Sequence, residues 1–533
     1  MEEPVSTDAL PEVTTPSLAF AASIIAVGNI ASRALGLARE TVIAYFFGAS
    51  GLVSAFQAAS TIPTMIYDLL VGGMLSAALV PAFSDYARPG RRRELGQAAG
   101  AVFAALGLLV AGLVLLVEVL AGPVARLVAG GLPPHLLAVT EQLLRLMTPA
   151  VWFLAMAGVM TALLYALQRF TFPAFAAAVY NLGIIAAAVA LASRLGIHAL
   201  AVGVLLGSVL QLSLQWYDLR RAQPGIRLNL RHPVLPRVWR LYLPILLGLV
   251  ISQVQVIIDR RLASGTGEQS LAWMRGATTL IQLPHGLIAV AISMAALPSL
   301  AQFFAAEDER AFRQVLGRGL RTVLMLSVPA TVGLWALGTP IVQLIFQRGA
   351  FMPSDTEAVV AALNLYLLGL VPASVDWLLN YTFYARNNTL TPALVGVASV
   401  LIYLAVALAL VGRYGYLGLV LADSAKHTGH VLIMWVLLRR RLGDLSDLQG
   451  TATLARTLAA AGVMGLAVAL LARGLGRVLP AGFEGNLVIV VVSTAAGALI
   501  YAALAARLGV EEVALMADRW LRRLRRGVPR RRN

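Results

Sequence analysis

Ser32-Arg33-Ala34-Leu35-Gly36-Leu37-Ala38-Arg39-Glu40 lies inside an apolar stretch, residues 17–48, that carries no other charge. An arginine at the centre of a membrane-crossing helix costs ~2.5–3.5 kcal/mol on insertion scales, so two of them are retained at a cost. At about 100° per residue, Arg33, Gly36 and Glu40 share one face. Ser32 and Arg39 share another, about 120° away. Such a helix requires polar surroundings over a broad sector, which a water-filled cavity supplies and lipid does not. The alternative is that Arg33 and Glu40 pair with each other while Arg39 snorkels to an interface.

Outward from this stretch the chain reads as membrane throughout. Of its 533 residues 59% are hydrophobic and 13% charged, and the mean hydropathy is +0.80, which excludes a soluble globular protein. The expected fold class is an all-α polytopic membrane protein, because successive apolar stretches satisfy their backbone groups in lipid only as helices. The alternating pattern of an outer-membrane barrel is missing. With no cysteine, disulfides, thiolate metal sites and cysteine nucleophiles are excluded. The acidic, proline-containing start, Met1 to Glu12, lacks the marks of a cleaved signal peptide, so the first span is expected to be retained.

About fourteen spans are expected, at 17–48, 52–87, 95–130, 136–168, 172–194, 197–221, 237–264, 268–306, 312–346, 356–386, 391–412, 416–439, 451–475 and 485–508. Basic residues gather in every second connection, as in Arg91-Arg92-Arg93, Arg439-Arg440-Arg441 and the tail from Arg519 to Arg532. The positive-inside rule then places both termini in the cytoplasm. The net charge of +16 is thus spread between apolar spans. No nucleic-acid partner is expected, and the tail around Trp520 reads as an anchor on anionic lipid.

The chain also repeats itself. Met74-Leu75-Ser76-Ala77-Ala78-Leu79-Val80-Pro81-Ala82-Phe83 corresponds to Ala291-Ile292-Ser293-Met294-Ala295-Ala296-Leu297-Pro298-Ser299-Leu300, and Leu164-Tyr165-Ala166 through Thr171-Phe172-Pro173 corresponds to Phe383-Tyr384-Ala385 through Leu390-Thr391-Pro392. The offsets agree: 298 − 81 = 217, 384 − 165 = 219 and 392 − 173 = 219. Two six-helix lobes are therefore expected, 17–222 and 237–442, joined by a linker at 223–236. A tail at 1–16, a further helix pair at 443–509 and a basic tail at 510–533 complete the chain. Both lobes begin on the same side of the membrane, as parallel repeats that rock about a central site do.

Together the Ser32-Arg33-x-x-Gly36-x-x-Arg39-Glu40 stretch, the Pro81 and Pro298 segments, Val256-Ile257-Ile258-Asp259-Arg260-Arg261-Leu262-Ala263-Ser264, Gln282-Leu283-Pro284-x-Gly286 and the Thr391-Pro392 segment resemble the MurJ (MviN) lipid II flippases of the MOP exporter superfamily. The resemblance covers nearly the whole chain. It implies a transporter rather than an enzyme, in the bacterial cytoplasmic membrane. The implied protein is a monomer that moves an undecaprenyl-pyrophosphate-linked sugar-peptide among the membrane lipids, from inner to outer leaflet by alternating access. It also implies a central arginine-lined cavity and a groove at the last two helices for the isoprenoid tail. Arginine suits the pyrophosphate, giving charge-assisted and often bidentate contacts.

Arg33, Arg39, Ser32 and Glu40 are accordingly the leading substrate-binding candidates. Two arginines implied by the resemblance are replaced here, one by Asp68 and one by Thr279. Arg275, one turn before Thr279 on the same face, is expected to supply the missing charge, with Arg260 and Arg261 as further candidates. The alternative for Arg260 and Arg261 is a helix end at the outer interface. The resemblance further implies a coupling cation, with a possible sodium site at Asp259 and Asp423. Two positions in span eleven also belong to that implied site, and they hold Tyr403 and Ala407 in this chain. Span twelve reads Asp423-Ser424-Ala425-Lys426-His427-Thr428-Gly429-His430. Asp423 can reach Lys426 and His427, and Lys426 can reach His430, so the cluster either relays protons or stitches helices together. Asp376 and Asn380, also i and i+4, are expected to face the cavity. A related exporter of another lipid-linked oligosaccharide or amphiphile is the competing reading. A membrane enzyme is disfavoured by short loops and the lack of a nucleophile–base motif.

Overall fold

The computed structural model describes residues 18–72, 78–88, 91–222, 229–445, 448 and 450–510. The tail 1–16, residues 511–533 and residues 223–228 of the linker lie outside them, as do Met74 to Ala77. The described chain is helical: α1 (Leu18–Phe47), α2 (Gly51–Tyr67), α3 (Val80–Ser84), α4 (Arg92–Val119), α5 (Ala121–Ala129), α6 (Pro134–Met147), α7 (Ala150–Ala166), α8 (Thr171–Leu195) and α9 (His198–Ala222). The second half holds α10 (Val234–Ser264), α11 (Ser270–Pro284), α12 (Ala291–Ala305), α13 (Glu309–Ile345), α14 (Pro353–Ala385), α15 (Leu390–Tyr414), α16 (Tyr416–Leu442), α17 (Gly450–Val478) and α18 (Phe483–Arg507). Ten helices or continuous helical runs among the described residues are long and apolar enough to cross a membrane. The other long helices, α1, α10 and α16, hold charges at Arg33, Arg39, Glu40, Asp259, Arg260, Asp423 and Lys426.

Backbone geometry repeats at the offset read from the sequence. A π-helical turn follows α2 at Asp68–Gly72 and another follows α11 at His285–Val290, and 285 − 68 = 217. At the second of these, Pro284 lacks the N–H that the α-ladder needs, and the helix relaxes into the wider turn. Left-handed residues recur as well: Gln168 (φ 57°) matches Asn387 (φ 54°), and Gly196 (φ 54°) matches Gly415 (φ 56°), both pairs 219 apart. Helices α8 and α15 begin and end 219 residues apart. The symmetry is broken at one pair. Helix α1 packs along α8, whereas its counterpart α10 divides its contacts among α5 and α4 of the first lobe and α15 and α16 of the second.

Helices α17 and α18 lie outside the repeat and pack on α13, where Met325, Val328 and Leu337 meet Ala460, Ala461 and Met464. Burying these side chains is what holds the added pair in place, through contact rather than a hydrophobic drive in lipid.

The two lobes close on each other at the end that is poor in basic connections. There Ala272 N donates to Ser54 Oγ (3.2 Å), Gly131 N donates to Ser264 Oγ (3.1 Å) and Ala350 N donates to Tyr45 O (2.9 Å). A Cβ at Gly131 would stand 2.4 Å from Gly265 N, so this backbone approach requires glycine. The arginine-rich connections gather at the opposite end, where Arg237 pairs with Asp85 (2.6 Å) and Arg313 bonds the carbonyls of Leu442 and Asp444. Because the chain has no cysteine, the Ser54→Cys/Ala272→Cys variant offers a background-free check of this closure. Oxidation is expected to cross-link the two lobes and to stop transport reversibly, measured by mobility after cleavage between the lobes and by recovery with reductant. Failure to cross-link would contradict the closed end.

Candidate functional site

Where α1 meets α11, one carboxylate serves two guanidinium groups. Glu40 is buried, and its Oε1 accepts from Arg39 Nη2 (2.5 Å) and from Arg275 Nη2 (2.8 Å) and Nε (3.2 Å). Arg39 belongs to the first lobe and Arg275 to the second, so the carboxylate ties the lobes together. Arg39 Nη1 also donates to Asn181 Oδ1 (3.0 Å), and Asn181 Nδ2 donates to the carbonyl of Ser32 (3.3 Å), which fixes α8 against α1. These three groups border a cavity of about 360 Å³ that lies mostly within the first lobe, where Asp68 joins Glu40 in balancing Arg39 and Arg275 and where Gln57 and Gln211 are among the other lining residues. Arg275 thus stands beside the cavity that Arg39 lines, and Thr279 turns its hydroxyl back onto the Arg275 carbonyl (2.9 Å).

Arg33 faces elsewhere. Its Nη1 donates to the Gln282 carbonyl (3.2 Å), and a Cβ at position 286 would stand 2.3 Å from Nη2. Gly286 in the Pro284-x-Gly286 stretch is therefore the space in which the Arg33 guanidinium lies. The alternative pairing of Arg33 with Glu40 is not what the structure contains, since Glu40 takes Arg39 and Arg275 instead. Arg261 is exposed at the end of α10 with its Nε against Gly130, apart from the cavity. Arg260 is half-buried near Asp259 and Tyr366 and likewise does not line the cavity.

A second polar cluster fills the interior of the second lobe. Tyr403 of α15 donates to Asp259 Oδ1 of α10 (2.6 Å). On α16, Lys426 Nζ donates to Asp423 Oδ1 (2.5 Å), with His427 Nε2 3.8 Å from Asp423 Oδ2. His430 does not meet Lys426 as the helical spacing allows. It lies 2.6 Å from Asp376 Oδ1 on α14, which also accepts from Asn380 Nδ2 (2.8 Å). Trp377 Nε1 donates to His285 Nε2 (2.9 Å) alongside. Lys426 is the sole lysine of the chain, every other cation being arginine. Its ammonium takes Oδ1 of Asp423, so a cation at that carboxylate would share it with Lys426. Among the described residues no three carboxylates or histidines are grouped as a metal site.

Comparison with known proteins follows this geometry. The family profile described as "Lipid II flippase MurJ" matches residues 43–492. The chain belongs to the MurJ lipid II flippase family. The lipid II flippase MurJ of Burkholderia cenocepacia is 31% identical over 429 residues, 78% of this chain and 82% of the relative. A probable lipid II flippase MurJ of Haemophilus influenzae is 28% identical over 426 residues, 76% and 83% of the two chains. Among solved structures, a lipid II flippase MurJ in an inward closed conformation superposes with a TM-score of 0.77 at 22% identity, covering 92% of this chain and 100% of the other. An inward-facing multidrug-resistance MATE transporter of the MOP superfamily has the same fold, with a TM-score of 0.68 at 14% identity over 80% and 99% of the chains.

Sequence reasoning missed Asn181, which is the only side-chain amide in α8, a signal that intramembrane polarity makes readable. It also missed Gln57 and Gln211, which the cavity brings together from α2 and α9. Removing one partner of a buried ion pair leaves a bare charge and costs ~3–5 kcal/mol. Glu40→Gln is therefore expected to lower the thermal unfolding midpoint of the purified protein, and Glu40→Gln/Arg275→Gln to regain part of the loss. Additive losses in this cycle would show that the two residues are not coupled.

Proposed function

We propose that this protein flips lipid II from the inner to the outer leaflet by alternating access, with both termini cytoplasmic and fourteen crossings. The observation that carries this reading is that Arg39 of the first lobe and Arg275 of the second share Glu40 at the wall of a cavity within the first lobe. A pyrophosphate bearing a sugar-peptide cannot cross hydrocarbon, because its charges and hydroxyls would lose their water. It carries more charge than one carboxylate and binds guanidinium groups bidentately, so it competes with Glu40 for Arg39 and Arg275. Loading would then sever the Glu40 link between lobes and free them to rock. A cavity of about 360 Å³ sits at the lower end of sites for drug-sized ligands, so the head enters only when the lobes part. Arg33, held on the Gln282 carbonyl between the lobes, is the second anchor in this scheme.

For the energy source, the proposal assigns coupling to the interior cluster of the second lobe, with proton exchange among His427, His430 and Asp376 and no sodium at Asp423. Lys426 supplies there the positive charge that a mobile cation would bring. Lobes at 17–222 and 237–442, and the α17–α18 pair as the seat of the lipid tail, complete the scheme.

Arg39→Ala and Arg33→Ala are each expected to weaken binding of lipid II to the purified protein by about tenfold or more, as loss of a charge-assisted contact does. Charge reversal by Arg275→Glu is expected to abolish rescue of flippase-depleted cells. Unaltered binding in all three variants would overturn the reading, and rescue failure by the unmodified chain would favour a different lipid-linked cargo. Transport in proteoliposomes is expected to persist without sodium and to be lost in Lys426→Met. A strict sodium requirement would refute the coupling scheme.

A further inference from the structure

The arginine-rich end of α13 carries a pocket that the transport scheme does not use. Arg310, Arg313, Arg318 and Arg321, with Gln314 and Gly317, line a cavity of about 540 Å³ whose lining, among the described residues, includes no acidic side chain. At about 100° per residue these six positions fall within a sector of about 140°, so four guanidinium groups converge on one space rather than spreading around the helix. Two of them are pinned by the backbone of the connection between α16 and α17. Arg313 donates to the carbonyls of Leu442 and Asp444, and Arg321 Nη1 donates to that of Leu448 (3.2 Å). Arg310 and Arg318 are exposed at the rim. Gly317 forms the floor, where a Cβ would meet Leu448 Cδ2 at 3.3 Å and Arg321 Nη1 at 3.4 Å, so a larger residue would crowd the cradle.

Asp444, whose carbonyl Arg313 reaches, is the neighbouring acid and is not part of the lining. Asp308 caps α13 by accepting from Ala311 N (2.9 Å), and Glu307 and Glu309 are exposed outside the lining. The pocket lies in the first turns of a 37-residue helix whose later turns are apolar, which is headgroup depth. It is separated from the groove farther along α13 by the packed contact of Met325 and Val328 with α17. Simple topology signals require basic residues at this end, but they do not require four of them around a glycine-floored cavity.

We propose that this pocket binds the phosphate of an anionic membrane phospholipid in the leaflet at the basic end of the protein. Arginine pairs with phosphate oxygens in a planar fork, and an anionic lipid surface attracts each basic residue by a modest increment that several residues accumulate. The site is distinct from the cavity that Arg39 lines and does not rest on the transport proposal.

The test uses the full-length protein, delipidated in detergent and titrated with phosphatidylglycerol while bound lipid is counted by native mass spectrometry. The unmodified protein is expected to retain phosphatidylglycerol in preference to phosphatidylcholine. Arg310→Gln/Arg318→Gln, exposed positions that leave the fold intact, is expected to lower that retention about tenfold. Gly317→Ala, which keeps every charge, is expected to weaken it as well, while Arg473→Gln at the other membrane face leaves it unaltered. Equal retention by the double variant, or equal retention of phosphatidylcholine, would overturn the proposal. Displacement by inorganic phosphate would overturn the lipid assignment in favour of a free anion. Displacement only by lipid II would make the pocket a substrate site and overturn it likewise.

Discussion

The carboxylate of Glu40 carries one negative charge between two guanidinium groups that come from different halves of the chain. In an apolar interior none of the three is tolerable alone, since stripping an ion of water costs several kcal/mol unless a partner offsets it. The pairing therefore dictates where α1 and α11 meet, and Asn181 extends it to α8. The three groups by themselves carry one net positive charge, and Asp68 on the same cavity wall offsets it.

The duplication supplies the frame around this pairing. Equivalent π turns at Asp68–Gly72 and His285–Val290 put a local irregularity at the same depth in both lobes. In the second lobe that turn seats the Arg33 guanidinium against Gly286, and in the first it places Asp68 at the cavity. Departure from symmetry carries as much meaning. Helix α10 leans across to α4 and α5 while α1 stays with α8, so the seam between lobes is built from one side.

In the interior of the second lobe, Asp423 pairs with Lys426 one turn along α16, His430 of α16 faces Asp376 of α14, and Tyr403 donates to Asp259. Lysine occurs nowhere else in the chain. A compact ammonium on a flexible stem fits a confined site beside one carboxylate, whereas the planar fork of arginine lets Arg275 meet Glu40 through two nitrogens.

Helical class, the repeat at 217 to 219 residues and the presence of intramembrane charges were all legible in the sequence, because each is a local property: apolar length, spacing, or a charge where none is cheap. Helical pitch also placed Arg275 and Thr279 on one face and Asp423 within reach of Lys426. What pitch does not contain is the partner on another helix. Whether Glu40 would choose Arg33, Arg39 or an arginine 235 positions away, and whether His430 would meet Lys426 or Asp376, depends on how helices cross. Only packing of the two lobes decided these, since a buried charge settles on whichever opposite charge the fold brings within a few ångströms.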